Sequence, residues 1–192
     1  MPNERILIAG FGGSLRRGSY SSLLLRECSR LMPDNSELEL LDISRIPLFS
    51  QDDEYSPPEA VQKFRDGIRR ADGFLVVTPE YNYSIPGYLK NAIDYASRPP
   101  EHNPFPGKPG AIMSASIGML GGSRAQYHLR QVFTFLDCRI INKPEVFLNF
   151  AQTKFDAAGH LTDENAVKFI SQLLNNLVQE AKNQISLKKS SQ

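Results

Sequence analysis

The chain has 192 residues, 22 of them basic and 21 acidic, for a net charge of +1. That size favours one domain with a sizeable core, and the balanced charge gives no electrostatic case for nucleic acid or an anionic membrane surface. No apolar run approaches the ~20 residues that span a bilayer, and Met1-Pro2-Asn3-Glu4-Arg5 leads into a strand-like run with no signal-peptide pattern, so neither membrane insertion nor export is expected and a cytoplasmic location is.

Residues 6–9 are a short apolar run that reads as a first strand. Leu24, Leu25, Cys28, Leu31 and Met32 then mark an amphipathic helix, stopped by Pro33-Asp34-Asn35. Residues 38–43 alternate in part and predict a second strand. Ser56-Pro57-Pro58-Glu59 predicts a helix start, with Ser56 as cap, Pro57 at the first helical position and Glu59 closing a capping box. Ala60, Val61, Phe64, Ile68 and Ala71 supply its buried face. Residues 74–77 read as a third, buried strand. Leu89, Ala92, Ile93 and Ala96 follow at i, i+3, i+4 and i+7, one face of a helix.

Residues 111–115 predict a fourth strand. After Gly121-Gly122-Ser123, helical spacing returns with Ala125, Leu129, Val132, Phe133 and Leu136. A fifth strand lies within 139–149, interrupted near Pro144. Thr162 is the expected cap of a last helix, whose face carries Val167, Ile170, Leu174, Leu177 and Ala181. A single domain over 1–186 is thus expected, with a polar, frayed tail at 187–192. Strands separated by helices imply βαβ units and a parallel sheet covered on both faces. Five such units in this length fit an α/β, flavodoxin-like, doubly wound sheet of order 2-1-3-4-5.

Three loops carry the chemistry. The first strand runs into Gly10-Phe11-Gly12-Gly13-Ser14-Leu15-Arg16-Arg17-Gly18-Ser19-Tyr20-Ser21-Ser22. Glycines, hydroxyls and an arginine ahead of a helix N-terminus suit a phosphate, because free N–H groups and a partial positive charge meet there. The Gly-Lys-Ser/Thr ending of a P-loop is absent. Leu15 stands where a dinucleotide fingerprint needs its third glycine, which disfavours an NAD-binding dehydrogenase. Read alone, the loop also fits a capped turn that binds nothing.

The second loop, Thr78-Pro79-Glu80-Tyr81-Asn82-Tyr83-Ser84-Ile85-Pro86-Gly87, fits a proline-rich helix start. Its cluster of Glu, Asn, Ser and tyrosines also suits a flat, amphipathic ring. The third, Ser114-Ala115-Ser116-Ile117-Gly118-Met119-Leu120-Gly121-Gly122-Ser123-Arg124, has glycines that allow close backbone approach. All three leave the carboxyl ends of strands that are adjacent in the expected order. One site results, with a phosphate at one end and a flat ring at the other, which describes FMN. Cys28 and Cys138 form neither a redox pair nor a zinc site, and His102, His128 and His160 lack metal-ligand spacing, so no metal is expected.

These segments resemble the NADPH-dependent FMN reductases. The likeness rests on Gly13-Ser14-Leu15-Arg16-x-x-Ser19, on Thr78-Pro79-Glu80-Tyr81-Asn82-x-Ser84-x-Pro86-Gly87-x-Leu89, and on Gly121-Gly122-x-Arg124. Gln126-Tyr127-His128-Leu129-Arg130-Gln131 and Asn142-Lys143-Pro144-Glu145 are similar to the bacterial quinone and chromate reductase branch. By that resemblance Ser14, Arg16, Ser19, Tyr20 and Ser21 bind the phosphate and ribityl end of FMN. Pro79, Glu80, Tyr81 and Asn82 hold the isoalloxazine, largely through backbone, and Ser116 closes the other side. Ser84 and Gly118 complete the cofactor-binding set. Many relatives carry Asn at the position of Ser21.

The resemblance further implies electron transfer from NADPH or NADH through FMN to a small-molecule acceptor such as a quinone, azo dye or chromate. No catalytic side chain is expected, because the cofactor carries the chemistry. It implies a homodimer or homotetramer, with Arg124, Tyr127 and Glu145 at the oligomer contact. Release of reduced flavin to a partner monooxygenase is an alternative. A flavodoxin-type electron carrier is disfavoured by the near-neutral charge. Residues 99–106 are a candidate for shaping the mouth of the site.

Overall fold

The computed structural model describes residues 5–190. Among the described residues six strands and five α-helices follow in the order β1 (Ile6–Gly12), α1 (Tyr20–Arg30), β2 (Ser36–Leu40), α2 (Glu59–Arg70), β3 (Gly73–Thr78), α3 (Gly87–Ala96), β4 (Pro109–Ala115), α4 (Ser123–Phe135), β5 (Arg139–Ile140), β6 (Val146–Leu148) and α5 (Glu164–Ser190). The sheet is parallel with order β2-β1-β3-β4-β5, and β6 pairs with β4 as well. The expected fifth strand is therefore split. Its first part pairs with Pro109 and Gly110, its second with residues 113–115, and Pro144 lies in the gap. Met1 to Glu4, the start of the leaderless N-terminus expected above, lie outside the described residues, as do positions 191 and 192. Among the described residues no helix is long and apolar enough to cross a membrane.

Side chains alternate along each strand and so feed two cores. Ile6, Ile8, Leu75, Val77, Ala111 and Met113 face α1 and α5. Ala9, Phe11, Phe74, Val76 and Ile112 face α2, α3 and α4. Aromatic rings knit the second core: Phe74 lies 4.9 Å from Phe133 and 5.7 Å from Phe105, and Phe11 meets Phe64 edge-on at 5.0 Å. Phe105 sits under the amino-terminal end of β3. Residues 99–106 therefore lie at the edge of the sheet opposite the site mouth they were expected to shape.

Three element ends differ from expectation for local reasons. Strand β2 pairs with β1 from Ser36 to Leu40 and ends where the Asp42 side chain accepts the Ser44 N–H at 2.8 Å, starting a turn. Helix α2 begins only at Glu59, with Pro58 as its N-cap and no side-chain cap. Each residue before a proline is steered away from helical backbone, so Ser56 and Pro57 cannot open the helix. Asp163 rather than Thr162 caps α5: its Oδ1 accepts the Ala166 N–H at 2.7 Å, while the Thr162 hydroxyl donates to the Lys154 carbonyl. That helix continues to Ser190, through the start of the segment expected to fray.

Asp163 also accepts from Lys154 Nζ at 2.6 Å. The Lys154 ammonium and the Ala166 N–H together hold its carboxyl below the usual carboxylate range. Asp163→Ala is expected to lower unfolding free energy by about 1–2 kcal/mol at neutral pH. Because the folded-state pKa is depressed, that contribution is complete above the unfolded value of about 4 and fades as pH falls through the folded one. Urea denaturation at pH 7 and pH 3 checks this, with the gap between wild type and variant narrowing in acid.

Candidate functional site

Strands β1, β3 and β4 lie side by side, and the loops leaving their carboxyl ends meet above them. In open parallel sheets ligands bind at this edge. The Gly13 N–H donates to the Val77 carbonyl at 2.8 Å, laying the first loop against β3. A Cβ at Gly13 would stand 2.7 Å from Thr78 Oγ1 and 3.1 Å from Pro79 Cδ, so only hydrogen fits there. The Ser116 N–H donates to the Leu148 carbonyl, and the Ala151 N–H returns to the Ser116 carbonyl, each at 3.0 Å. These bonds tie the third loop to the segment after β6.

A cleft of about 390 Å³ opens among the loops. Ser14, Arg16, Ser19, Tyr20 and Ser21 line it from the first loop, Pro79, Glu80 and Tyr81 from the second, and Ser116 from the third. Ala115 and Ile117 complete the wall. The sequence reading placed both in the third loop without naming them as cofactor-binding residues. Their only signal is position, on either side of Ser116 where a buried strand ends.

Ser19 precedes α1 with φ −64° and ψ 133°, the backbone of an N-cap, yet its hydroxyl makes no capping bond. Its Oγ instead lies 2.8 Å from Ser21 Oγ, and both residues are buried. The first turn of α1 holds no acidic residue. First-turn N–H groups, two hydroxyls and the positive pole of the helix thus meet on the cleft wall, the arrangement that receives a phosphate. The Arg16 guanidinium lies 5.8 Å over the Tyr20 ring. That ring is backed by Phe155 at 5.9 Å, a support no local pattern announces.

The second loop is a tight hairpin. Tyr81 and Ser84 exchange N–H to carbonyl bonds of 2.9 Å, and Asn82 and Tyr83 between them have φ of 49° and 68°. Two left-handed central residues make a type I′ turn, which asparagine tolerates and a bulky tyrosine resists. The Arg124 guanidinium lies 3.9 Å from the Tyr83 ring centroid and donates from Nη1 to Glu80 Oε1 at 3.0 Å. Glu80 Oε2 accepts the backbone N–H groups of Arg124 at 3.0 Å and Ala125 at 3.4 Å. Gly122, the N-cap of α4, has φ 85° and no side chain to cap with. Glu80 supplies that cap from another strand's loop. With its carboxylate so engaged, this loop offers a ligand its backbone groups and the Tyr81 ring. Behind it the Tyr88 hydroxyl is buried without a hydrogen-bond partner, and burial, with Tyr81 nearby, raises its pKa above the usual phenol range.

Asn82, Ser84 and Gly118 lie outside the cleft lining. Asn82 forms the turn, Ser84 Oγ sits 2.8 Å from His128 Nδ1, and the Gly118 N–H donates to Ser116 Oγ at 3.1 Å. Of the expected oligomer residues, Arg124 is engaged within the chain as described. Tyr127 is exposed, with its ring 6.1 Å from that of Phe147, and Glu145 lies 3.9 Å from Arg130 Nε. The third loop leaves apolar side chains in solvent, Ile117 64% and Met119 69% exposed.

Residues 6–153 match the NADPH-dependent FMN reductase family. The chain is 53% identical over 177 residues to an NAD(P)H-dependent FMN reductase of Pseudomonas aeruginosa, covering 91% of this chain and 95% of that one. It is 51% identical over 166 residues to an NAD(P)H:quinone oxidoreductase of Solanum tuberosum, covering 83% and 84%. Among solved structures it resembles FerB, a flavoenzyme NAD(P)H:acceptor oxidoreductase of Paracoccus denitrificans, with a TM-score of 0.86, 32% identity and coverage of 93% and 98%. The match spans all three loops of the cleft, and this chain belongs to the NADPH-dependent FMN reductase family of oxidoreductases.

Proposed function

We propose that this enzyme is a quinone reductase, working with FMN and NAD(P)H on quinones and similar flat, electron-poor acceptors. The observation that carries the reading is the two-ended cleft. Buried hydroxyls and an uncapped helix N-terminus lie on one side, and an aromatic hairpin with an apolar rim on the other.

FMN suits these residues. Ser19, Ser21 and the first-turn N–H groups of α1 would hold the phosphate, with Ser14 and Tyr20 beside them and Arg16 offsetting its charge. Residues 79–81 would seat the ring through backbone groups, where N–H donors favour negative charge, with Asn82 shaping the turn that presents them. Ser116 would close the opposite side, and Ser84 and Gly118 would fix the shapes of their loops. When bound, FMN supplies the redox chemistry, accepting hydride from NAD(P)H and returning electrons to an acceptor that takes the same place. The protein binds, orients and excludes water. Quinones and azo compounds are flat and would gain from Ile117; chromate, a compact oxyanion, would gain nothing from that apolar side chain.

A cytoplasmic homodimer or homotetramer is part of the proposal, with Arg124, Tyr127 and Glu145 at the subunit contact. Arg124 and Glu145 have partners within the chain, Glu80 and Arg130, so the contact would share those pairs or exchange them.

The purified protein is expected to be yellow, to bleach when titrated anaerobically with NADPH, and to regain colour on adding a benzoquinone. Initial rates at several quinone concentrations should give parallel reciprocal lines. Colourless protein that leaves NADPH untouched with FMN added would sink the reading. Replacing Ser19 and Ser21 together by alanine removes hydrogen bonds to a charged group, each worth about 1.5–3 kcal/mol. The FMN dissociation constant should rise at least ~10-fold while kcat at saturating FMN changes little. Fluorescence titration and steady-state kinetics read the two separately.

A further inference from the structure

A second polar cavity, of about 430 Å³, lies away from the flavin cleft. It is bounded by α2, by Glu54, Tyr55 and Pro57 ahead of that helix, and by residues 101–103. The carboxyl end of α2, which leads into the start of β3, places it towards the amino-terminal edge of the sheet.

Arg65 lines this cavity and is only 2% exposed. Its Nη2 donates to the carbonyls of Arg98 at 2.5 Å and Tyr95 at 3.4 Å, around the carboxyl end of α3. Its Nε is buried with no partner. No carboxylate among the described residues forms an ion pair with it. Asp66, whose field reaches Arg65, is engaged by Arg69, and Glu54 in the cavity wall is engaged by Arg98 at 3.3 Å. Glu101, also on the wall, is exposed to solvent.

Two carbonyls and a helix pole supply partial negative charge, not a full one. A guanidinium does not shed its proton under ordinary conditions, and a buried charge without a counter-ion costs several kcal/mol. Burial and the neighbouring Arg69 both push the Arg65 pKa below its ordinary value. An anion in the cavity would remove both penalties. The wall also carries donors: Gln62, His102 and Asn103 bring amide and imidazole groups, while the Arg69 guanidinium is shared with Asp66 and the His102 carbonyl. Arginine's planar fork matches phosphate and carboxylate oxygens.

We infer that this cavity is an anion-binding site for a small phosphate or carboxylate, anchored by Arg65. It is separate from the phosphate end of the flavin cleft and shares no lining residue with it.

The test uses protein saturated with FMN, so that the flavin cleft cannot take up the probe. Thermal midpoints are compared in inorganic phosphate, in succinate and in chloride at equal ionic strength. Phosphate or succinate is expected to raise the midpoint by about 3–6 °C at ten times its dissociation constant, with chloride doing neither. Whichever acts identifies the head group. Arg65→Met should abolish the rise while FMN binding and NADPH oxidation persist. Should that variant not fold, Gln62→Leu on the same wall serves, with at least a ~5-fold weaker response expected from a lost polar contact. Equal responses to all three salts in the wild type overturn the inference. So does a full phosphate or succinate response in folded Arg65→Met or, in its place, in Gln62→Leu.

Discussion

The Glu80 carboxylate is the joint on which the site depends. It leaves the end of β3, crosses to α4 and takes up the N–H groups that Gly122 cannot cap. A buried helix start with unpartnered donors would be costly, so the hairpin and the helix constrain each other. Arg124 reinforces the joint from both sides, bonding to the same carboxylate and covering the Tyr83 ring. That contact offsets the cost of holding a tyrosine at positive φ, of order 1–3 kcal/mol. The loop that faces the cleft is thereby fixed before any ligand arrives.

Such fixing matters because the chemistry here is lent by a cofactor. In the proposed reading no side chain in the cleft needs to serve as a strong acid or base, and the protein's share is geometry and water exclusion. Gly13 sets how closely the first loop approaches β3, and Phe155 holds the Tyr20 ring in place. Each acts on the cleft from behind its wall.

The strands, the helices and the three loops were legible because they rest on local signals: apolar runs, 3.6-residue spacing and clustered glycines and hydroxyls; the strand order was inferred only from the number of βαβ units. The split of the fifth strand was legible for the same reason, since proline interrupts a ladder wherever it falls. Glu80 was different. It sat in a ligand loop and was assigned to the ring, while its partner lies 44 residues away. The roles of Phe155 behind Tyr20 and of Ala115 and Ile117 in the wall are tertiary in the same sense. Helix α2 shows a local error, where a favourable capping pattern was overruled by the stiffness of consecutive prolines.

The two cavities are recognised by different arguments. The flavin cleft follows from topology, since parallel strands that end together gather their loops at one edge. Nothing in the topology singles out the cavity around Arg65, which lies towards the amino-terminal edge of the sheet. What marks it is charge: an arginine withdrawn from water, two carbonyls on one of its nitrogens, an orphan on another, and no ion pair with a carboxylate among the described residues. In the sequence Arg65 stands four residues after Val61 and three before Ile68, so helical spacing puts it on the buried face of α2 although its charge favours solvent. A charged residue that the fold buries either has a partner or awaits one.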